Sequence, residues 1–250
     1  MCGISAYDGN EPAAPILVEG LKRLEYRGYD SAGVVTINSN SQFEIKKDIG
    51  KVLEIHERLN LLDLKGNEGI AHTRWATHGG VTQENAHPQI SNNGKIAVIH
   101  NGIVENYKEL KAQLVSEGFH FESETDTEVV PNLIEYWMRL RGADFLQAVL
   151  NSFQSLEGNF ALVVLDRDSK TIVGSKNGSP LVLGIGKNED FFLASDIPAF
   201  LDRSIDGFYL FDGDTVVITT SSTGRRSSEI LNFRPGKRVD RPVQSVSWNT

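Results

Sequence analysis

Cysteine is almost missing from this chain, with one residue, Cys2, among 250. A single cysteine excludes an internal disulfide and points to a reducing, cytoplasmic setting. It also leaves no CxxC pair, and the six histidines are scattered without an HxxxH spacing. No metal site and no cofactor is therefore expected. Neither a GxxxxGK[ST] loop nor a GxGxxG string after a strand occurs, which excludes the usual phosphate cradles. No apolar run approaches the ~18 residues of a membrane-spanning helix, and no basic n-region precedes an apolar stretch as in a signal peptide. Positive charge is scarce too. Lys and Arg number 25 against 33 acidic residues, a net charge of −8, and the basic strings KK (46–47) and RR (225–226) are short. That balance excludes general binding to nucleic acid or to an anionic membrane.

What is present reads as one α+β domain. Residues 3–7 and 33–37 alternate like short strands. Between them Ile16, Leu17, Gly20, Leu21 and Leu24 recur at helical spacing, with Pro15 suited to a first turn. A weaker helical pattern covers 50–62. Strands are expected at Ile70–Thr73 and Ile96–His100. Tyr107, Leu110, Leu114 and Val115 mark a helix closed by Gly118. Thr125 and Glu128 fit a capping box ahead of a helix running to about Arg141, and Asp144 suits the cap of another ending near Phe153. After Gly158 the chain becomes strand-rich, with runs at 159–166, 171–176, 180–185, 190–195 and 214–220 and a short helix at 197–201. The first pair is joined by RDSK, a hairpin loop. Several of these runs are apolar on both faces, as in a sheet covered by helices on one side and by a second sheet on the other. From Ser221 the chain turns polar. Residues 1–220 are read as the functional domain, and 221–250 as a terminal strand and the start of a linker.

The chemistry concentrates in a few strings. Cys2 follows Met1 directly, so trimming of Met1 would leave a thiol and a free α-amine on one residue. A free thiol has a pKa of about 8.5 and an α-amine of about 7.7–8.0, so the amine can take the proton that attack by sulfur requires. HTRWATHG (72–79) offers Arg74 as a planar fork for a carboxylate, Thr77 and His78 as polar contacts, and Trp75 as a lid. HNG (100–102) ends an apolar strand, where the Asn101 amide and the Gly102 N–H can form an oxyanion hole. In SETDTEV (123–129) Asp126 suits a substrate ammonium. LEYRGYDSAG (24–33) has little direct chemical logic, beyond Arg27 as a wall beside the N-terminus. NAHP (85–88) reads as a rigid turn in which His87 is structural. Each string also has a plain structural reading, as a surface loop, an Asn-Gly turn or a helix cap.

Together with MCGI and HNGIVENY, these strings resemble the glutamine amidotransferases whose nucleophile is an N-terminal cysteine, and most closely the glutaminase domains of the glucosamine 6-phosphate synthases. The amidophosphoribosyltransferases share the N-terminal CG, the SAG string and HNG, but differ around HTRWATHG and SETDTEV. GSPL (178–181) and ASD (194–196) extend the resemblance to about residue 200. The resemblance implies a four-layer αββα sandwich of the Ntn-hydrolase (N-terminal-nucleophile) type, with L-glutamine as substrate. It implies Cys2 as nucleophile, Asn101 and the Gly102 N–H as oxyanion donors, and Arg74 on the α-carboxylate with Thr77 and His78 nearby. Asp126 and the Gly102 carbonyl would take the α-ammonium, and Trp75 would close the site. It also implies a partner: a sugar-phosphate isomerase region not seen in this chain, or a separate acceptor subunit. A homo-oligomer is compatible with this reading.

Overall fold

The computed structural model describes residues 2–77, 79–221, 223–234, 237–239 and 244–245. In chain order it contains β1 (Gly3–Asp8), α1 (Ala13–Leu24), β2 (Ser31–Ile37), β3 (Phe43–Ile49), α2 (Val52–Leu59), β4 (Glu68–Arg74), β5 (Gln89–Ile90) and β6 (Ile96–Gly102). Then follow α3 (Tyr107–Ser116), α4 (Val129–Arg141), α5 (Phe145–Ser155), β7 (Phe160–Asp166), β8 (Ile172–Asn177), β9 (Val182–Gly186) and β10 (Phe191–Ala194). Last come β11 (Ser204–Tyr209), β12 (Asp214–Thr220), β13 (Arg226–Asn232), β14 (Lys237–Arg238) and β15 (Gln244–Ser245). One sheet runs β15-β11-β9-β10-β1-β4-β2-β3 and the other β14-β13-β12-β8-β7-β6-β5; every pairing is antiparallel.

Side-chain alternation along the strands explains the layering. Successive residues of a strand face opposite sides of the sheet. In β7, Ala161, Val163 and Leu165 point into a core between the sheets, with Ile4, Ala6 and Ile70 of the other sheet. Phe160, Leu162 and Val164 point the other way, into a core built with α3, α4 and α5. The first sheet buries Ala32, Val34 and Ala71 under α1 and α2. Two sheets between two helical layers thus enclose three cores, which is why the inner strands are apolar on both faces. Each fully buried Leu or Phe contributes about 1.5–3 kcal/mol relative to exposure.

The structure departs from the sequence reading in a few places. The capping box expected at Thr125 and Glu128 does not form. Glu128 accepts instead from the backbone N–H groups of Glu122 (2.9 Å) and Ser123 (2.7 Å) and from the Ser123 hydroxyl (2.7 Å), so it fastens the loop in front of α4. The helix at 197–201 is one 3-10 turn, Ile197–Ala199. Strands β3, β11 and β13 were not expected. FEIKKDI in β3 lacks apolar alternation because β3 is the outer strand of its sheet and half-exposed. The Asp144 cap is present, with Oδ1 accepting from Gln147 N–H at 2.8 Å. Among the described residues no helix is long and apolar enough to cross a membrane.

Candidate active site

Register brings the predicted residues together. β1 pairs antiparallel with β4, placing Gly3 opposite Thr73, so the start of β1 and the end of β4 share one edge. In β4 the side facing the second sheet carries Ile70, His72 and Arg74; in β6 it carries Ala97, Ile99 and Asn101. Period two therefore points Arg74 and Asn101 into the same end of the space between the sheets, next to Cys2.

The Cys2 thiol accepts from the Trp75 N–H at 3.2 Å and lies 3.6 Å from the Trp75 carbonyl. Burial raises its pKa above the ordinary thiol value, against the lowering effects of the Trp75 N–H and nearby Arg74. The resting sulfur is thus a protonated thiol at neutral pH, and attack requires a base. Two donors hold the Cys2 carbonyl, Arg27 Nε at 3.1 Å and Asn101 Nδ2 at 2.9 Å. Arg27 also pairs with Asp196, Nη1 to Oδ2, at 3.3 Å. The string 24–33, opaque as chemistry, is the scaffold of this corner. Asp30 Oδ2 accepts from Ala76 N–H at 2.9 Å, the Asp30 N–H donates to Arg74 O at 2.9 Å, and Tyr29 meets Trp75 edge-on at 5.8 Å between ring centres.

Gly102 sits at φ +129°, and a Cβ there would fall 2.0 Å from the Asn159 carbonyl oxygen. Only glycine fits. The N–H groups of Ile103 and Glu105 donate to Asn159 O (3.0 Å) and Glu157 O (2.8 Å). By the alternation of an antiparallel ladder, the Gly102 N–H between them points away from β7, towards the cleft.

Arg74 is buried, and its Nη1 donates to Gly80 O at 3.1 Å. Asp126, also buried, accepts from the Val104 N–H at 2.7 Å through Oδ2. Both line one small cavity with Cys2, Trp75, Thr77 and Gly102. An adjoining cavity of about 240 Å³ shares Cys2, Trp75, Thr77 and Gly102 and adds Arg27, Asn101, Ile103, Ser179 and Pro180. Thr77 and Trp75 lie exposed at the mouth, Trp75 by 46%. His78 lies outside the described residues. A roomier groove of about 600 Å³, between Ile45, Lys47 and Glu128, contains none of the predicted site residues.

Behind the cleft the sequence reading passed over two buried histidines, His72 and His100. His72 Nε2 lies 2.9 Å from Asn101 Oδ1, and its ring packs 4.3 Å from that of His87. His87 Nδ1 accepts from the His100 N–H at 3.3 Å, and His100 Nδ1 lies 2.9 Å from Thr127 Oγ1. Burial pushes His72 down to about 3 and His87 well below the usual imidazole range. His87 is structural, as expected, and its loop is clamped by Lys47 Nζ, which donates to Glu84, Ala86 and Pro88 carbonyls at 3.2, 2.7 and 3.1 Å. The missed signal was period two: His72 and Asn101 occupy inward positions at neighbouring strand ends. Among the described residues no group of three or more His, Cys, Asp or Glu is placed to hold a metal ion.

An αββα sandwich with a thiol at the head of an inner strand, facing an amide donor on the opposite sheet, has the architecture of the N-terminal-nucleophile hydrolases. Residues 72–202 match the glutamine amidotransferase domain family, and the chain belongs to that family. It is similar to the glutamine–fructose-6-phosphate aminotransferase (isomerizing) of Methanococcus maripaludis, 46% identical over all of this chain and 41% of that protein. The protein of the same name from Pyrococcus horikoshii is 50% identical over 88% of this chain and 36% of its own length. Among solved structures, the glutamine phosphoribosylpyrophosphate amidotransferase from B. subtilis matches with a TM-score of 0.77 at 29% identity, over 93% of this chain and 49% of that one. The chain spans about two fifths of the length of the curated relatives it matches.

Proposed function

We propose that this chain hydrolyses the side-chain amide of L-glutamine to glutamate and ammonia, with Cys2 as nucleophile. One observation carries the reading: a thiol, two N–H donors, a buried guanidinium and a buried carboxylate converge on adjoining cavities. Arg74 would grip the α-carboxylate, with Thr77 and His78 beside it. Asp126 and the Gly102 carbonyl would take the α-ammonium. That anchoring extends the substrate's side chain towards the sulfur.

With Met1 removed, the Cys2 α-amine takes the thiol proton as sulfur attacks the amide carbon. Asn101 Nδ2 and the Gly102 N–H stabilise the oxyanion. The C–N bond then breaks, and the α-ammonium returns the proton to the departing ammonia. Water cleaves the γ-glutamyl thioester, releasing glutamate and restoring the thiol. The high thiol pKa supports a base on the nucleophile's own residue. With Met1 attached, the Cys2 nitrogen is an amide and cannot serve. Trp75 would close the cleft.

We assign the ammonia to amination of a sugar phosphate, fructose 6-phosphate, at an acceptor site supplied by residues outside these 250, as a further region or a separate subunit. The similarity of 46% to the fructose-6-phosphate aminotransferase supports this over a phosphoribosyl acceptor, where the likeness is 29%. The test is a parallel assay of glutamate, ammonia and amino sugar. The isolated chain should yield glutamate and ammonia in equal amounts and no amino sugar, with a rate unmoved by fructose 6-phosphate. Absence of glutamate would refute the reading, and an amino-sugar product would refute the assignment of the acceptor elsewhere.

A further inference from the structure

The hydrogen bonds around Asn101 determine where a buried proton sits. The atom of Asn101 that lies 2.9 Å from the Cys2 carbonyl must be the donor, Nδ2, because a carbonyl only accepts. Oδ1 therefore faces His72 Nε2, 2.9 Å away. An amide oxygen also only accepts, so Nε2 must carry a proton. Burial keeps the imidazole neutral, with a pKa of about 3, so it holds one proton and Nδ1 is bare. Nδ1 is indeed buried without a hydrogen-bond partner among the described residues. A bare lone pair is the less costly group to leave so, since orphaned buried N–H groups are the rarer kind.

His72 cannot readily turn. It is fully buried in the middle layer, stacked at 4.3 Å on His87. Rotating the Asn101 amide by half a turn would set Nδ2–H against Nε2–H and Oδ1 against the Cys2 carbonyl. Both contacts would be repulsive, and the oxyanion would then face an oxygen in place of a donor.

We propose that His72 is a positioning residue for the oxyanion hole, its Nε2–H fixing the Asn101 amide so that one Nδ2 hydrogen holds the Cys2 carbonyl and the other is left for the oxyanion. This rests on the glutaminase reading above. His72 touches neither substrate nor sulfur and acts through Asn101.

Two measurements test it. In chain carrying 15N-histidine, the imidazole nitrogen shifts of His72, assigned by their loss in His72→Gln, should show Nε2 protonated and Nδ1 bare at pH 7. A proton on Nδ1 overturns the proposal whatever the chain catalyses. Glutamine kinetics supply the second. His72→Leu should lower kcat about 10- to 100-fold, less than the roughly 100- to 1,000-fold of losing an oxyanion donor outright, with KM within about threefold. His72→Gln, whose amide N–H reaches the Nε2 position, should recover kcat to within about fivefold of the parent. His72→Asn reaches only the Nδ1 position and should behave like His72→Leu, standing in for it should His72→Leu not fold. Parent-like kcat in a folded His72→Leu or His72→Asn, or no recovery in a folded His72→Gln, contradicts the role. A parent chain without glutaminase activity would instead refute the functional reading, and the nitrogen shifts would still decide the tautomer.

Discussion

The Asn101 side-chain amide donates to the Cys2 carbonyl over 2.9 Å, so the proposed oxyanion donor and nucleophile are tied together before substrate arrives. The bond crosses between the two sheets, from the end of β6 to the residue preceding β1. The donor is thereby pre-placed and need not reorganise as charge develops, which is the condition under which an oxyanion hole works best. Asn101→Ala should therefore lower kcat about 100- to 1,000-fold and move KM much less. Steady-state kinetics with glutamine check this. A change confined to KM would mean that Asn101 binds only the ground state.

Gly102→Ala should be worse for the fold than Asn101→Ala. Its φ of +129° disfavours any side chain, and the new Cβ would overlap the Asn159 carbonyl at 2.0 Å. Strain of this kind costs about 1–3 kcal/mol, and the clash adds to it. Denaturant midpoints should drop, and activity should fall because relief of the clash moves the N–H. A Gly102→Ala chain of parental stability would show that the turn has room which the structure denies.

Arg74 and Asp126 make opposite claims about the substrate's ends. Arg74→Ala should cost about 2–4 kcal/mol in glutamine binding, as for a charge-assisted, partly desolvated contact, and Asp126→Ala a similar amount. Substrate analogues separate the two. Arg74→Ala should become indifferent to blocking of the α-carboxylate, and Asp126→Ala to blocking of the α-amine. The converse pattern would reverse the orientation.

The buried histidines also predict how stability changes with pH. His72 and His87 are neutral in the folded chain, with pKa values depressed by burial, to about 3 for His72. An unfolded imidazole protonates near pH 6.5, about where its ordinary pKa lies. Below that pH the unfolded state binds more protons, so stability falls as pH drops from about 6.5 towards 3. Each such histidine contributes a slope of about 1.4 kcal/mol per pH unit within that window. Urea midpoints between pH 7 and 5 should show this loss, and His72→Gln should flatten the slope by about one proton's worth. An unchanged slope would mean that His72 is protonated in the folded chain.

Much of this architecture was legible in the sequence because the inner strands have little choice. A run such as FALVVLD, apolar at every position but its last, fits a strand covered on both sides, and the structure buries every residue of β7. The site residues were legible one string at a time, since Arg74, Asn101 and Gly102 stand at strand ends. What pairs them was not. That His72 reaches Asn101 depends on which strands of two separate sheets lie opposite one another, and nothing local in HTRW or HNG fixes this. LEYRGYDSAG was opaque for the same reason. Its Arg27, Tyr29 and Asp30 act on Cys2, Trp75 and Ala76, partners distant in sequence. The cap at Thr125 failed because a better acceptor arrangement existed: Glu128 satisfies two loop N–H groups at once. The polar segment of β13 was missed because its pairing with β12 supplies the order that its own composition does not.

The central claim is that glutamine is hydrolysed through a thioester on Cys2 whose own α-amine is the base. Intact-mass spectrometry of the purified chain, before and after a diazo-ketone analogue of glutamine, addresses it most directly. The mass should first report loss of Met1, then gain a single adduct at Cys2, with glutaminase activity lost in step. Cys2→Ala should neither label nor turn over. Active protein that retains Met1, an adduct at any other residue, or glutaminase activity surviving in Cys2→Ala would contradict the account.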